Sequence, residues 1–458
     1  MGKPHILVLL TDGVSLRNFA YTSFYKKAEE AGYEITFWDG TAFDISSLGY
    51  KTTKLTSPKL HALTSVFKNA RKHVELNCFV RREKDPIYYA YKFPWLYSGI
   101  KNSLRTILSK TLIFFCNSER GLKWLRLQTN KLERKTAYYK SCLKTLQDIK
   151  PDIVYNTSQR SVLAIAPIEA AKTLNILTVG FVFSWDNLPK STLEVITDKY
   201  HVWSDLMKSQ LLNYHHFIKD QQVSVTGTPQ FEPYYNTTGY LTRNEFYDTY
   251  NLNRDYDYLC FSGDDITTSP KDHLYLGDVA KSVRELNKKG YKIGLIFRRC
   301  PVDFSSRYDA TIQDFKDVII PIEPQWKQFG GQWNQIFPEA KDSVLLANLA
   351  KHCVGVINLG SSMAFDFATH HKPCAYLNYH YDAELNMKKG VKVYNYIHFR
   401  SQPTKDVVVW LDSPDMESDL LKMIESSEKI AEAAIKWFEI INTSPFNKAS
   451  ERILKALS

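Results

Sequence analysis

Cysteine is scarce and scattered. The seven cysteines, at positions 78, 116, 142, 260, 300, 353 and 374, form no CxxC pair. An odd number at wide spacing excludes a disulfide framework and a thiolate zinc site, and predicts reduced thiols in a cytoplasmic setting. No stretch approaches the roughly 18 apolar residues of a transmembrane helix. The run near the N-terminus, HILVLL, is too short for the core of a secretory signal. Low-complexity segments and short-period repeats are missing, which argues against linkers and solenoids. No zinc-finger, homeodomain or RNA-binding signature occurs, so nucleic acid is not expected as a partner. No paired carboxylates, metal-ligand cluster or DxD motif placed after a strand stands out. The expectation is chemistry without a metal and without a resident cofactor.

What is present fits a globular enzyme. Of 458 residues, 44% are hydrophobic and 14% aromatic, too apolar for disorder and too long for one ordinary core. Continuous apolar runs alternate with helical patterns. HILVLL, EITFWD, PDIVYNTS, ILTVGFVFSWD, DKYHVWSD and QVSVTGTP read as strands, with AYTSFYKKAEEAGY and VLAIAPIEAAKTLN as helices between them. The pattern restarts after LTRNEFYDTYNL, a short helix with Thr242 as N-cap and Glu245 three residues on. YLCFSG, YKIGLIF, DVIIPI, CVGVINL and PCAYLN are then strands, and YLGDVAKSVRELNKKG and SVLLANLAKH helices. Strands covered on both faces and alternating with helices predict α/β domains built on parallel, doubly wound sheets. The expected division is 1–235 and 236–425, with a helical insertion at about 80–145 and a helical tail over 426–458 that packs back across the domains. The two domains are expected to face a cleft.

The net charge of +10 is unevenly spread. Residues 101–140 carry ten Lys or Arg and two acids, a balance of +8. Phe114, Phe115, Trp124 and leucines interleave these charges. A solvated helical face is the ordinary reading of such a run. The composition also suits an anionic membrane surface, with the protein peripheral on its cytoplasmic side.

In open α/β sheets, ligands sit beyond the carboxyl ends of the strands. The stretch GSSMAFDFATHHKP, 360–373, follows such a strand. Gly360 permits close backbone approach, Ser361 and Ser362 supply hydroxyls, and a helix start suits a diphosphate. Asp366, one turn further in, can accept from two vicinal hydroxyls of a ribose, or it can simply complement the helix dipole. Arg298, ahead of Arg299 and Pro301 at another strand end, offers a fork for phosphate oxygens. Ser262 and Gly263 close the strand YLCFSG. For a catalytic base the candidates are Asp12, in TDGVSLRN, and Asp186, in SWDN, both at strand ends. Their structural alternatives are a helix cap and an Asx turn. His370 and His371, at a helix end, read as caps.

GSSMAFDFATHHKP resembles the donor-binding signature of GT-B glycosyltransferases: a small-residue loop, an acid, and a proline seven residues beyond it. The likeness is closest to bacterial surface-polysaccharide and teichoic-acid enzymes. In the CDP-glycerol glycerophosphotransferases the pattern is similar at Ser361, Ser362, Phe365, Asp366, Lys372 and Pro373. FVFSWDNLPKS, 181–191, and VSVTGTPQFEPY, 223–234, resemble bacterial nucleotide-sugar glycosyltransferases. The chain departs from many GT-B donor sites in having Asp366 for a glutamate and Lys372 for a glycine. No histidine acceptor motif is apparent near the N-terminus. The resemblance implies GT-B architecture and a glycosyltransferase, inverting and metal-independent. It would move a sugar from a nucleotide-sugar donor, as co-substrate, to a cell-surface glycan or lipid-linked acceptor. Three alternatives share the fold: a CDP-glycerol-type glycerophosphotransferase, a nucleotide-sugar 2-epimerase, and a non-catalytic nucleotide-binding protein.

Overall fold

Two parallel sheets organise the chain, each in its own unit. The computed structural model describes residues 2–330, 335–381 and 391–458. Unit 1 comprises residues 1–229 with 448–458, and unit 2 comprises 230–447.

Unit 1 begins with β1 (His5–Leu10), α1 (Gly13–Phe19), α2 (Phe24–Glu30), β2 (Glu34–Asp39) and β3 (Thr52–Lys54). Four helices follow: α3 (Thr64–Glu83), α4 (Gly99–Cys116), α5 (Glu119–Glu133) and α6 (Ala137–Ile149). The sheet resumes with β4 (Ile153–Asn156), α7 (Ile165–Thr173), β5 (Leu177–Phe181), β6 (Lys199–Val202), α8 (Asp205–Tyr214) and β7 (Val223–Val225). The strand order is β3-β2-β1-β4-β5-β6-β7, all parallel. Ile6 to Leu10 are fully buried, which is why β1 reads as an unbroken apolar run rather than an alternating one. The helical insertion begins earlier than expected, at α3. It has a small core of its own around Ala70, Val74, Cys78, Cys116, Leu122 and Leu125.

Unit 2 comprises α9 (Arg243–Thr249), β8 (Asp257–Ser262), α10 (Asp272–Lys288), β9 (Ile293–Arg298), α11 (Asp309–Asp314), β10 (Ile319–Pro321), β11 (Trp326–Gln328) and β12 (Ile336–Pro338). Then come α12 (Ala340–His352), β13 (Gly355–Asn358), α13 (Met363–Ala368), β14 (Cys374–Leu377), β15 (Val409–Leu411), α14 (Glu417–Glu425) and α15 (Ser427–Ile441). The order is β10-β9-β8-β13-β14-β15, again all parallel, with β11 and β12 as an antiparallel pair apart. The Thr242–Glu245 capping box forms as its sequence predicts.

The tail is not one continuous helix. α14 and α15 belong to unit 2, whereas α16 (Ala449–Leu457) belongs to unit 1. There Glu451 pairs with Lys27 of α2, and the Leu454 carbonyl accepts from Tyr33 Oη at 3.3 Å. All seven cysteines are free thiols, six of them buried.

Candidate functional site

Each strand order reverses direction at one place. In unit 2 the chain runs outward from β8 through β9 to β10, then restarts on the other side of β8 with β13. The carboxyl ends of β8 and β13 therefore flank the crevice where doubly wound sheets receive ligands. Ser262 and Gly263 end β8, Gly360 to Ser362 follow β13, and Arg298 closes the neighbouring β9. Three of the six strands thus bring unit 2 residues singled out in sequence to one end of one sheet. Asp12 and Asp186 belong to unit 1.

Gly360 has φ +73°, and a Cβ there would lie 3.0 Å from Phe399 and 3.3 Å from Tyr394. Glycine is thus required by both the left-handed backbone and the rings behind it. The following corner closes on itself. The Ser361 N–H donates to Asn358 Oδ1 at 2.7 Å, and the Met363 N–H donates to Ser361 Oγ at 3.3 Å. Ser362 stands at the N-cap of α13 without a side-chain capping bond. Asp366 lies buried inside that helix, where its Oδ1 accepts from Tyr234 Oη at 2.7 Å. Tyr240 Oη bonds His370 Nε2 at 2.8 Å, and His371, at φ +55°, ends the helix. Sequence reading anticipated the histidines as caps but not the tyrosine on Asp366, because Tyr234 lies 132 residues away.

Arg298 is buried and meets Asp342, on α12, through Nη2 at 3.1 and 3.0 Å. Asp342 also accepts from the Gln325 N–H at 2.8 Å and Trp326 Nε1 at 2.7 Å. Arg298 Nε is sealed from solvent and has no hydrogen-bond partner among the described residues. Arg299 is half-buried and donates to the Ser305 carbonyl at 2.5 Å. Gly263 leaves room for Tyr308, whose hydroxyl would lie 3.0 Å from an added Cβ.

Beside Gly263 lies an acid pair. Asp272 Oδ2 accepts from the Asp264 N–H at 3.0 Å and from Tyr308 Oη at 2.7 Å. Asp264 is half-buried as a residue, yet its Oδ2 is sealed and lacks a partner among the described residues. Burial pushes the Asp264 pKa well above the usual carboxylate range. The neighbouring charges of Asp272 and Asp265 add to that rise, and Arg307 opposes it. Burial also raises Asp272, against the hydrogen bonds that Tyr308 and Asp264 make to it. Such a carboxylic acid holds a proton that an exposed one would lose.

In unit 1 the strand order reverses between β1 and β4. Asp12 lies just past β1 and caps α1, where sequence reading expected a loop. Its Oδ1 accepts from the Ser15 N–H at 2.8 Å and Ser15 Oγ at 2.9 Å, and its Oδ2 from Thr11 Oγ1 at 3.5 Å. Asp186 follows β5. It accepts from Ser184 Oγ at 2.6 Å and Asn187 Nδ2 at 2.8 Å, and pairs with Lys190. Both carboxylates take up the structural roles their motifs allow.

The loop carrying Asp186 leads into a buried ion cluster. Glu75 on α3 receives Arg71 and Arg126 at 2.5 Å each, and Ser191 Oγ at 2.5 Å. Arg126 also donates to the Leu193 carbonyl at 2.6 Å. Arg134 pairs with Glu169 at 2.6 Å. Two cations of the basic stretch, buried Arg126 and exposed Arg134, are therefore paired with buried acids of unit 1.

Neither a protein-family model nor a curated protein sequence matches the chain. Solved structures do. UDP-GlcNAc 2-epimerase from Neisseria meningitidis, bound to UDP-GlcNAc, aligns with TM-score 0.56 at 13% identity over 99% of each chain. A Staphylococcus aureus MnaA–UDP co-structure gives 0.55 at 14%, over 99% of this chain and 96% of that one. The Anabaena protein Alr3699/HepE, in complex with UDP and glucose, gives 0.51 at 8%, over 99% of each. The fold is that of these proteins. It is GT-B-like: two Rossmann-like parallel-sheet domains with helices at the C-terminal end.

Proposed function

We propose that the chain is an enzyme acting on a nucleotide-diphosphate sugar, and that the corner between β8 and β13 receives the nucleotide. The observation that carries this reading is the likeness, running the full length of both units, to structures solved with UDP or UDP-GlcNAc. Two sealed polar atoms support it locally. Arg298 Nε and Asp264 Oδ2 sit at the ends of adjacent strands, paired in register as Ser262 with Arg298, and buried polar atoms ordinarily find partners. Asp366 and Ser361 would hold ribose and phosphate, and Arg298 would stabilise charge on the departing diphosphate.

Inversion at carbon 2 of a UDP-hexosamine is the leading reaction. The C2–H bond lies beside no ring carbonyl. Removal of that proton therefore needs the C–H electron pair to form a C1=C2 double bond while the C1–O bond breaks and its pair leaves on the UDP oxygen. Return of a proton to the opposite face of C2 and of UDP to C1 completes an inversion without net oxidation. A group that can hold and release a proton is needed on each face; Asp12, Asp186 and the Asp264–Asp272 pair are the candidates. Transfer of the sugar to an acceptor hydroxyl is the second reading, favoured by the 360–373 signature.

The test is incubation with UDP-GlcNAc in D2O, without an acceptor. Epimerisation places deuterium at C2 and yields the 2-epimer, whereas a transferase releases UDP only when an acceptor is added. Nucleotide that stabilises the protein but is never consumed would sink both readings. Asp366→Asn is expected to weaken UDP binding about ten- to hundredfold, the loss of a charge-assisted bond. Tyr234→Phe should leave that affinity within about threefold. Equal losses in the two variants would assign Asp366 to the tyrosine alone.

A further inference from the structure

Helix α4 presents its apolar stripe to solvent. Ile100, Leu104, Ile107, Leu108, Phe114 and Phe115 recur at spacings of three, four and seven, so they share one face. All six are exposed, Ile100 to 82%, Phe114 to 79% and Phe115 to 77%. The opposite face carries Thr106 and Ser109, both buried, with hydroxyls donating to the carbonyls of Leu96 at 2.7 Å and Val66 at 3.3 Å. α4 buries Thr106, Ser109 and Cys116 and half-buries Leu112 and Ile113 against the insertion's core, yet leaves these six large apolar side chains in water. An apolar face of this size is characteristic of a surface that meets something.

Charge identifies the partner. α4 carries Lys101, Arg105 and Lys110 and not one acid. Lys110 donates to Tyr97 Oη at 2.5 Å, and among the described residues neither Lys101 nor Arg105 makes an ion pair. Pairing this face with a second copy of itself would bring three cations against three cations, which is repulsive. A sheet of anionic headgroups over an apolar interior complements both features at once. Eighteen residues make a helix about 27 Å long. Among the described residues no helix is long and apolar enough to cross a membrane. We infer that α4 lies flat on an anionic lipid bilayer, with the phenylalanine end and the Leu104–Leu108 segment inserted among the acyl chains. The inference is independent of the reaction proposed above.

The experiment is sedimentation of the full chain with phosphatidylcholine vesicles, with and without phosphatidylglycerol, at low and high salt. Binding is expected to vesicles containing phosphatidylglycerol and to weaken as salt rises. Reversal of Lys101, Arg105 and Lys110 to Glu should weaken it about a hundredfold or more, from roughly fivefold for each cation lost. The combined variant Leu104→Ser, Ile107→Ser, Phe114→Ser, Phe115→Ser should abolish it, while the melting temperature and UDP binding stay as in the wild type. The inference is overturned if the wild-type chain ignores anionic vesicles at low salt. It is also overturned if the charge reversals leave sedimentation unchanged. A wild-type dimer by light scattering that the serine variant converts to monomer, without vesicle binding, would assign the face to a second copy instead.

Discussion

The corner between β1 and β4 and the corner between β8 and β13 share a topology and differ in electrostatics. In unit 1 the corner acid, Asp12, caps a helix, and the costly buried charges sit away from it around Glu75, each matched by an opposite charge. In unit 2 two acids meet at the corner itself, and Arg298 is only half satisfied by Asp342. Burial alone would raise the Glu75 pKa, but Arg126 and Arg71, joined by His215 and Ser191, bring it down to about 2. Burial raises Asp264 and Asp272, and no partner reverses it. Arg71 Nε and Arg126 Nε are sealed without a hydrogen-bond partner among the described residues just as Arg298 Nε is, so the contrast lies in the acids: two guanidiniums hold Glu75 charged, whereas burial keeps Asp264 and Asp272 raised.

Three experiments probe that contrast. The largest effect is expected from Glu75→Ala, which takes from buried Arg126 the acid it pairs with and leaves Arg71 with Glu194 alone. A loss of about 3–5 kcal/mol should appear in the melting of unit 1 by calorimetry. The wild-type cluster should also weaken in acid. Burial holds His215 at about 3, with Glu75 opposing, and burial holds His201 at about 3. Folded-state values below the unfolded ones mean that stability present above pH 6.5 drains away as pH falls towards 3. The Glu75 contribution follows between about pH 4.5 and 2. A unit 1 transition that does not move on acidification would erase the distinction.

Next comes Arg298→Lys, which keeps the charge but leaves Asp342 with a poorer partner. Stability should drop by about 1–3 kcal/mol and UDP binding should weaken. Arg299→Ala should stay within about 0.5 kcal/mol. Equal effects at the two arginines, measured by urea melts and nucleotide titration, would remove Arg298 from the site.

The smallest effect is a slope. A carboxyl whose folded pKa lies above its unfolded value contributes stability below pH 3.8 and loses it as pH rises through the folded value. Asp264→Asn removes that loss, so the melting temperature of the variant relative to wild type should climb between pH 4 and 8. About 2–4 °C is expected per kcal/mol. A flat difference would show that the acid pair is not protonated in the fold.

Sequence patterning carried the sheets further than the site. Runs such as HILVLL and CVGVINL are buried on both faces, so their apolar continuity reads directly as parallel strands. Three-residue β3, with Thr52, Thr53 and Lys54 at a sheet edge, offers no such run; β15 lies within one, VVVWL at 407–411, that is too short to stand out. The site residues were legible where they end strands, as Ser262, Arg298 and Gly360 do. Their partners were not. Asp342 reads as an ordinary first-turn acid of α12, and its tie to Arg298 spans 44 residues. Tyr234 lies in the stretch between the units' sheets, where nothing marks it as a neighbour of Asp366. Of the basic stretch, the charge was legible and its division was not: Arg126 and Arg134 point to buried acids, while Lys101 and Lys123 face solvent.

The placement of α16 has a consequence for how the protein can be made and cut. Because the last helix completes unit 1, that unit cannot finish folding on the ribosome until all of unit 2 has been translated. Its α2 face, with Lys27 and Tyr33, stays uncovered throughout that interval. Splitting the gene near residue 229 would yield an N-terminal fragment short of one helix, and a C-terminal fragment carrying a helix that belongs elsewhere. A chimera that exchanges the first half with another protein must therefore carry residues 448–458 along with it.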